Sequence, residues 1–143
     1  MDIIGKACGK PICKLLGGYR ESIAPSRILW LSTDEVLADQ ARELNERGYR
    51  AFKVKGGADP DADIRRIHLL REVVTPDTKL YIDGNQLYTY FGAKKVYDAT
   101  RGELDYFEEP VNAQNERDRV RLAHAIDIPI VGDESNFTLG DIA

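Results

Sequence analysis

The sequence predicts an α/β fold built on a parallel sheet, and two observations carry that expectation. From residue 22 onward, five apolar strand-like runs alternate with segments of helical periodicity. Three acids then recur at the ends of such runs, each 25 residues after the last: Asp83 in LYIDGN, Glu108 in DYFEEP and Asp133 in PIVGDES. A spacing of this size fits one strand plus one helix, which places the acids at equivalent positions on successive parallel strands. Carboxylates gathered that way repel one another unless a cation lies between them, and a divalent metal ion is the obvious candidate.

Each element has its own local signal. Met1 to Leu16 reads as a helix stopped by Gly17-Gly18, and IAPSRILWL as the first strand. Ser32-Thr33-Asp34-Glu35 matches a capping box, and the helix it opens carries Leu37, Ala41 and Leu44 on one face before stopping near Gly48. YRAFKVKGG is the second strand. Asp59-Pro60 is a cap and first-turn pair for a helix bearing Ile64, Ile67, Leu70 and Val74. KLYIDGN is the third strand, followed by a helix from Phe91 to Ala99. LDYFEEP is the fourth, followed by a helix bearing Val120, Ala123 and Ile126. PIVGDES is the fifth, and Thr138 to Ala143 reads as the first turn of another helix.

Two architectures accommodate five such units: an open doubly wound sheet and part of a (β/α)8 barrel. In both, function collects at the C-terminal ends of the strands, where all three acids fall. The chain breaks off as a helix starts, so it is expected to be part of a longer protein. An incomplete barrel would leave two unpaired strand edges and an uncovered apolar interior, making the chain prone to associate.

The bulk composition excludes several classes. A length of 143 residues with 43% hydrophobic content suffices for one core, and 20 basic against 24 acidic residues give a formal charge of −4. No basic run suggests a nucleic-acid partner, and no stretch approaches a membrane span or a signal peptide. A cytoplasmic location is the default. Cys8 and Cys13 form no CxxC pair and have no nearby histidine, so they are expected as reduced thiols on a partly buried helix. His68 and His124 fall in helical stretches away from the strand ends. Gly56-Gly57 lacks a phosphate-loop pattern and suits a close approach of backbone or substrate.

Lys53 and Lys55 add a second element to the acids. Two apart on a strand, they point to the same side, with Phe52 and Val54 alternating on the other. A lysine beside another lysine and a metal ion has its charged form disfavoured, which lowers its pKa and suits it to act as a base.

The order Lys53-Val54-Lys55, Asp83-Gly84-Asn85, Glu108-Glu109-Pro110 and Asp133-Glu134-Ser135 resembles the enolase superfamily, in its mandelate racemase and muconate lactonizing branch. The N-terminal DIIGKACGKPICKLLGG is similar to the helix that leads into the barrel there. The resemblance implies a TIM-type (β/α)8 barrel of which about five units are present. Residues 1–20 would lead in from a capping domain, and residues 21–143 would belong to the barrel. It implies Mg²⁺, with Mn²⁺ as the alternative cation, held by Asp83, Glu108 and Asp133. Lys55 would take the proton α to a small carboxylate substrate. Lys53 would depress the pKa of Lys55 and contact the carboxylate, with Asn85 close to the substrate. Glu109, Glu134 and Ser135 would orient the ligands. The full-length protein would be a homo-oligomer.

The second catalytic group of that family, carried on a later strand, has no counterpart here. The reaction therefore stays open among racemisation, cycloisomerisation, dehydration and acylsuccinate synthesis, and the isolated chain is expected to be inactive. Two other readings remain: a five-stranded receiver module for phosphoryl signalling, and a non-catalytic remnant of the barrel. The receiver places its acids after the first strand and its lysine after the fifth, an order this sequence does not follow.

Overall fold

Alternation of side chains along each strand gives the sheet two chemically different faces. The structure, a computed structural model, describes residues 1–142. Five strands, β1 (Arg27–Leu29), β2 (Ala51–Lys55), β3 (Lys79–Asp83), β4 (Tyr106–Glu108) and β5 (Ile130–Val131), form one sheet. Every pairing is parallel, and the spatial order is β1-β2-β3-β4-β5. A doubly wound sheet reverses its order at a switch point. This one never reverses, which excludes the receiver arrangement and matches consecutive units of a barrel.

The helices α3 (Asp34–Glu46), α4 (Pro60–Val73), α5 (Tyr90–Ala99) and α6 (Glu116–Ala125) each follow a strand and pack side by side. Against them lie Phe52 and Val54 of β2, Leu80 and Ile82 of β3, and Phe107 of β4, all fully buried. The intervening residues Lys53, Lys55, Tyr81, Asp83 and Glu108 therefore point to the opposite, inner face. β1 and β5 each have one neighbour, and Ile28, Trp30 and Val131 near these edges are exposed. Among the described residues no helix is long and apolar enough to cross a membrane.

Local chemistry explains most of the boundaries. Asp59 caps α4 by accepting from the amides of Asp61 and Ala62, with Pro60 in the first turn. Gly48 takes a positive φ of 94° just past α3.

Elsewhere the structure corrects the sequence reading. The N-terminal helix is two pieces, α1 (Asp2–Cys8) and α2 (Ile12–Leu15), because Gly9 closes the first with φ 61° and Pro11 cannot continue it. Cys8 and Cys13 are exposed rather than partly buried. The cap of α3 is Thr33, one residue later than the box implied, and its hydroxyl accepts from Val36 N–H at 3.4 Å. On α6 the buried residue is Leu122, while Val120 and Ala123 face outward beside β5. Past β5 the chain forms a short 3₁₀ turn, Leu139–Ile142. Ala143, included in the expected helical turn, lies outside the described residues.

Candidate metal centre and proton-transfer site

Parallel pairing brings the functional side chains to one rim. Lys55 stands opposite Asp83, and Asp83 opposite Glu108, in adjacent ladders. With Lys53 one alternation below Lys55, two ammonium groups and two carboxylates meet on the inner face. Lys53 Nζ lies 2.6 Å from Glu108 Oε1 and 2.9 Å from Asp83 Oδ2, and Lys55 Nζ lies 2.6 Å from the same Asp83 oxygen. The Asp83 side chain is 1% exposed, and its buried charge is offset by the two ammonium groups beside it.

The protonation states follow from that balance. Burial pushes the Lys53 ammonium down, but the hydrogen bonds to Glu108 and Asp83, with their charges, outweigh it, and the net direction is up. Burial likewise pushes the Asp83 carboxyl up, and donation from Lys55 and Lys53 reverses that, leaving it below the usual carboxylate range.

Asn85 adopts a left-handed φ of 41°, and its N–H donates to Asp83 Oδ1 at 2.9 Å. Its Oδ1 accepts from Lys55 at 2.9 Å, and its Nδ2 donates to Glu134 Oε1 at 2.8 Å. Glu109, also left-handed at φ 33°, is buried and accepts from Asp133 N–H at 2.5 Å and Ser135 N–H at 3.0 Å. The Ser135 hydroxyl donates to the same oxygen. Glu109 therefore holds the loop after β5 through Asp133 and Ser135. Among the described residues Glu134 Oε2 is buried with no hydrogen-bond partner.

Asp133 departs from the sequence expectation. Glu108 pairs with Val131, so equal spacing in sequence places Asp133 two residues beyond the equivalent position, exposed and outside β5. Among the described residues no three His, Cys, Asp or Glu side chains stand close enough to hold a metal ion together. What the donor set does fit is a hard cation: carboxylate oxygens on adjacent strand ends, with the Lys53 ammonium as the positive charge between Asp83 and Glu108.

His68 and His124 stay apart from this rim, His68 of α4 being paired at 2.9 Å with Glu103 in the turn after α5. Gly56 and Gly57 do permit close approach: a Cβ on Gly57 would stand 2.3 Å from Gly84 O. Sequence reading passed over Asp63, buried in the first turns of α4, and Tyr88, which donates to it. The signal was its place on the buried face of α4 with Ile67 and Leu70, where an acid needs partners. Trp30, at the end of β1, was also missed, and its ring centroid lies 6.0 Å from Lys55 Nζ.

Comparison with known proteins places the chain by family and fold. Residues 36–143 match the family model described as enolase C-terminal domain-like. D-galactarolactone cycloisomerase of Agrobacterium fabrum is 37% identical over 94% of the chain and 37% of its own length. Arabinonate dehydratase of Saccharolobus solfataricus is 34% identical over 96% of the chain and 38% of its own length. The crystal structure of a dipeptide epimerase from Enterococcus faecalis, complexed with Mg and the dipeptide L-Leu-L-Tyr, superposes with a TM-score of 0.92 at 30% identity. It covers 98% of this chain and 40% of that one. The chain spans about 40% of the length of the curated relatives it matches. With its unreversed parallel sheet and its strand-end lysines and acids, the chain belongs to the enolase superfamily, in the C-terminal domain family of the mandelate racemase and muconate lactonizing enzymes.

Proposed function

We propose that this chain supplies half of the active site of a Mg²⁺-dependent enzyme that removes the proton α to a substrate carboxylate. The observation that carries the reading is the joining of Lys53, Lys55, Asp83 and Glu108 on the inner rim of a parallel sheet. The relatives support it: one is a cycloisomerase, one a dehydratase, and one an epimerase crystallised with Mg and a dipeptide. Residues 1–20 then lead in from a capping domain, and residues 21–143 form the first part of the barrel.

A proton α to a carboxylate is very weakly acidic because its loss places a second negative charge on the same group. Asp83 and Glu108, with Asp133 on the following loop, would hold Mg²⁺, which would supply positive charge against the charge that develops on the substrate carboxylate. The chain's own residues do the rest. Lys55, positioned by Asp83 and Asn85, gives up a proton to solvent and, as the neutral amine, takes the α-proton at Nζ. Lys53 keeps its charge and faces the substrate carboxylate. Glu109 orders the loop of Asp133 and Ser135 through its amides.

The test is exchange of the α-proton for solvent deuterium, followed by NMR with dipeptides and sugar acids as substrates in the full-length protein. Lys55→Ala lowers the exchange rate on the order of 10²–10⁴ and leaves Mg²⁺ affinity intact. An undiminished rate in that variant removes Lys55 from the reaction.

A further inference from the structure

One buried carboxylate lies outside the site and yet reaches both loops that carry it. Asp63 is 1% exposed and sits on α4, on the face continued by Ile67 and Leu70. Its Oδ2 accepts from Gly57 N–H at 2.8 Å and from the Tyr88 hydroxyl at 2.6 Å, while Oδ1 accepts from Arg66 at 3.1 Å. Gly57 lies two residues after Lys55, and Tyr88 lies three residues after Asn85. A single oxygen thus joins the loop leaving β2 to the loop leaving β3.

The two loops already touch at the backbone. Gly56 N–H donates to Asp83 O at 3.0 Å, and Gly57, at φ 102°, leaves room only for a hydrogen against Gly84 O. Burying a carboxylate is costly unless it is fully bonded, so an apolar residue would suit this face of α4 better on packing grounds alone. What an apolar residue could not do is accept from both loops at once.

We propose that Asp63 is a positioning residue that clamps the loop of Lys55 against the loop of Asn85, and so fixes the base in place. This rests on Lys55 being the base. Lys55 Nζ is held between Asp83 Oδ2 at 2.6 Å and Asn85 Oδ1 at 2.9 Å, so relative slip of the two loops separates the base from the groups that aim it. Misplacement on the order of 1 Å costs about 10²-fold in rate. Tyr88 is the second arm of the clamp, and its ring is independently anchored edge-on to Phe107 at 5.6 Å.

The experiment uses the full-length protein with Mg²⁺ and the variants Tyr88→Phe and Asp63→Asn. Tyr88→Phe keeps the ring and its packing while removing the donor. Amide hydrogen exchange at Gly57 and Asn85 accelerates about tenfold in both variants, while the Phe107 amide in the core is unchanged. In α-proton exchange, kcat falls about tenfold or more with KM within about twofold of wild type. Faster exchange at Gly57 with none at Asn85 overturns the clamp. So does an unchanged kcat alongside a lowered melting temperature, the mark of a merely structural residue. A wild-type protein that exchanges no α-proton overturns the reaction assigned to Lys55, and the paired amide readout then still decides the clamp.

Discussion

Replacing Lys53 with methionine separates the electrostatics of this site from its packing. The substitution keeps an unbranched, apolar chain of similar length and removes one positive charge. Wild type balances two ammonium groups against Asp83 and Glu108, all within 2.6 to 2.9 Å of a partner. Lys53→Met leaves Lys55 alone against two carboxylates, and Glu108 loses a 2.6 Å partner while only 9% of its side chain is exposed. Removing one member of a buried ion pair costs about 3–5 kcal/mol, and the residual exposure of Lys53 points to the lower end, about 3 kcal/mol. For a full-length protein about two and a half times the length of this chain, the scale of the relatives it matches, that is a fall of about 5 °C in melting temperature without metal. A cation between the two carboxylates restores the balance, so saturating Mg²⁺ raises the melting temperature of Lys53→Met more than that of wild type. At 100 times Kd, ligand linkage alone contributes about 2.7 kcal/mol. The assay is thermal unfolding of the full-length protein with EDTA and with Mg²⁺. A variant as stable as wild type in EDTA would mean that Lys53 does not balance these carboxylates.

The same balance sets the pH dependence. The folded pKa of Asp83 is depressed, so its stabilisation is present above the ordinary value of 3.8 and lost as pH falls through the lower folded value. Lys53 has a raised pKa, so its contribution is present below 10.5 and lost only as pH rises through the higher folded value. Melting temperature is therefore flat with respect to this pair between those limits, and the acid limb moves to higher pH in Lys53→Met. An acid limb that stays put in the variant contradicts the pairing. Gly57→Ala, which forces a Cβ to 2.3 Å from Gly84 O at φ 102°, costs more than about 1 kcal/mol and disturbs the rim, read by unfolding and by Mg²⁺ affinity. Asp59→Ala removes the cap of α4 and costs about 1 kcal/mol in urea unfolding with activity per folded molecule retained.

The fold was legible because its signals are local. The alternation of Phe52 and Val54 with Lys53 and Lys55, and the Asp59-Pro60 cap, each determine structure within a few residues. Strand order was not legible in that way, since the same alternation serves a reversing and a non-reversing sheet. Only the pairing of each strand with its successor separates them. The site was half legible. Asp83, Glu108 and the lysines are set by register, and they meet as expected. The position of Asp133 was not legible, because equal spacing in sequence is not equal height in the sheet: the connection from Glu108 to its partner Val131 is two residues shorter than that from Asp83 to Glu108. Val120 and Ala123 misled because helical periodicity reports an apolar face without saying what covers it, and on α6 that face lies beside the edge strand β5. Asp63 stayed hidden because its partners, Gly57 and Tyr88, come from two other segments.

Calorimetric Mg²⁺ titration of the full-length protein and of its Asp83→Ala and Glu108→Ala variants decides whether these two carboxylates form the core of a Mg²⁺ site. One ion is expected to bind the wild type, and each variant is expected to lose both binding and turnover. Wild-type Mg²⁺ affinity in either variant rules the site out.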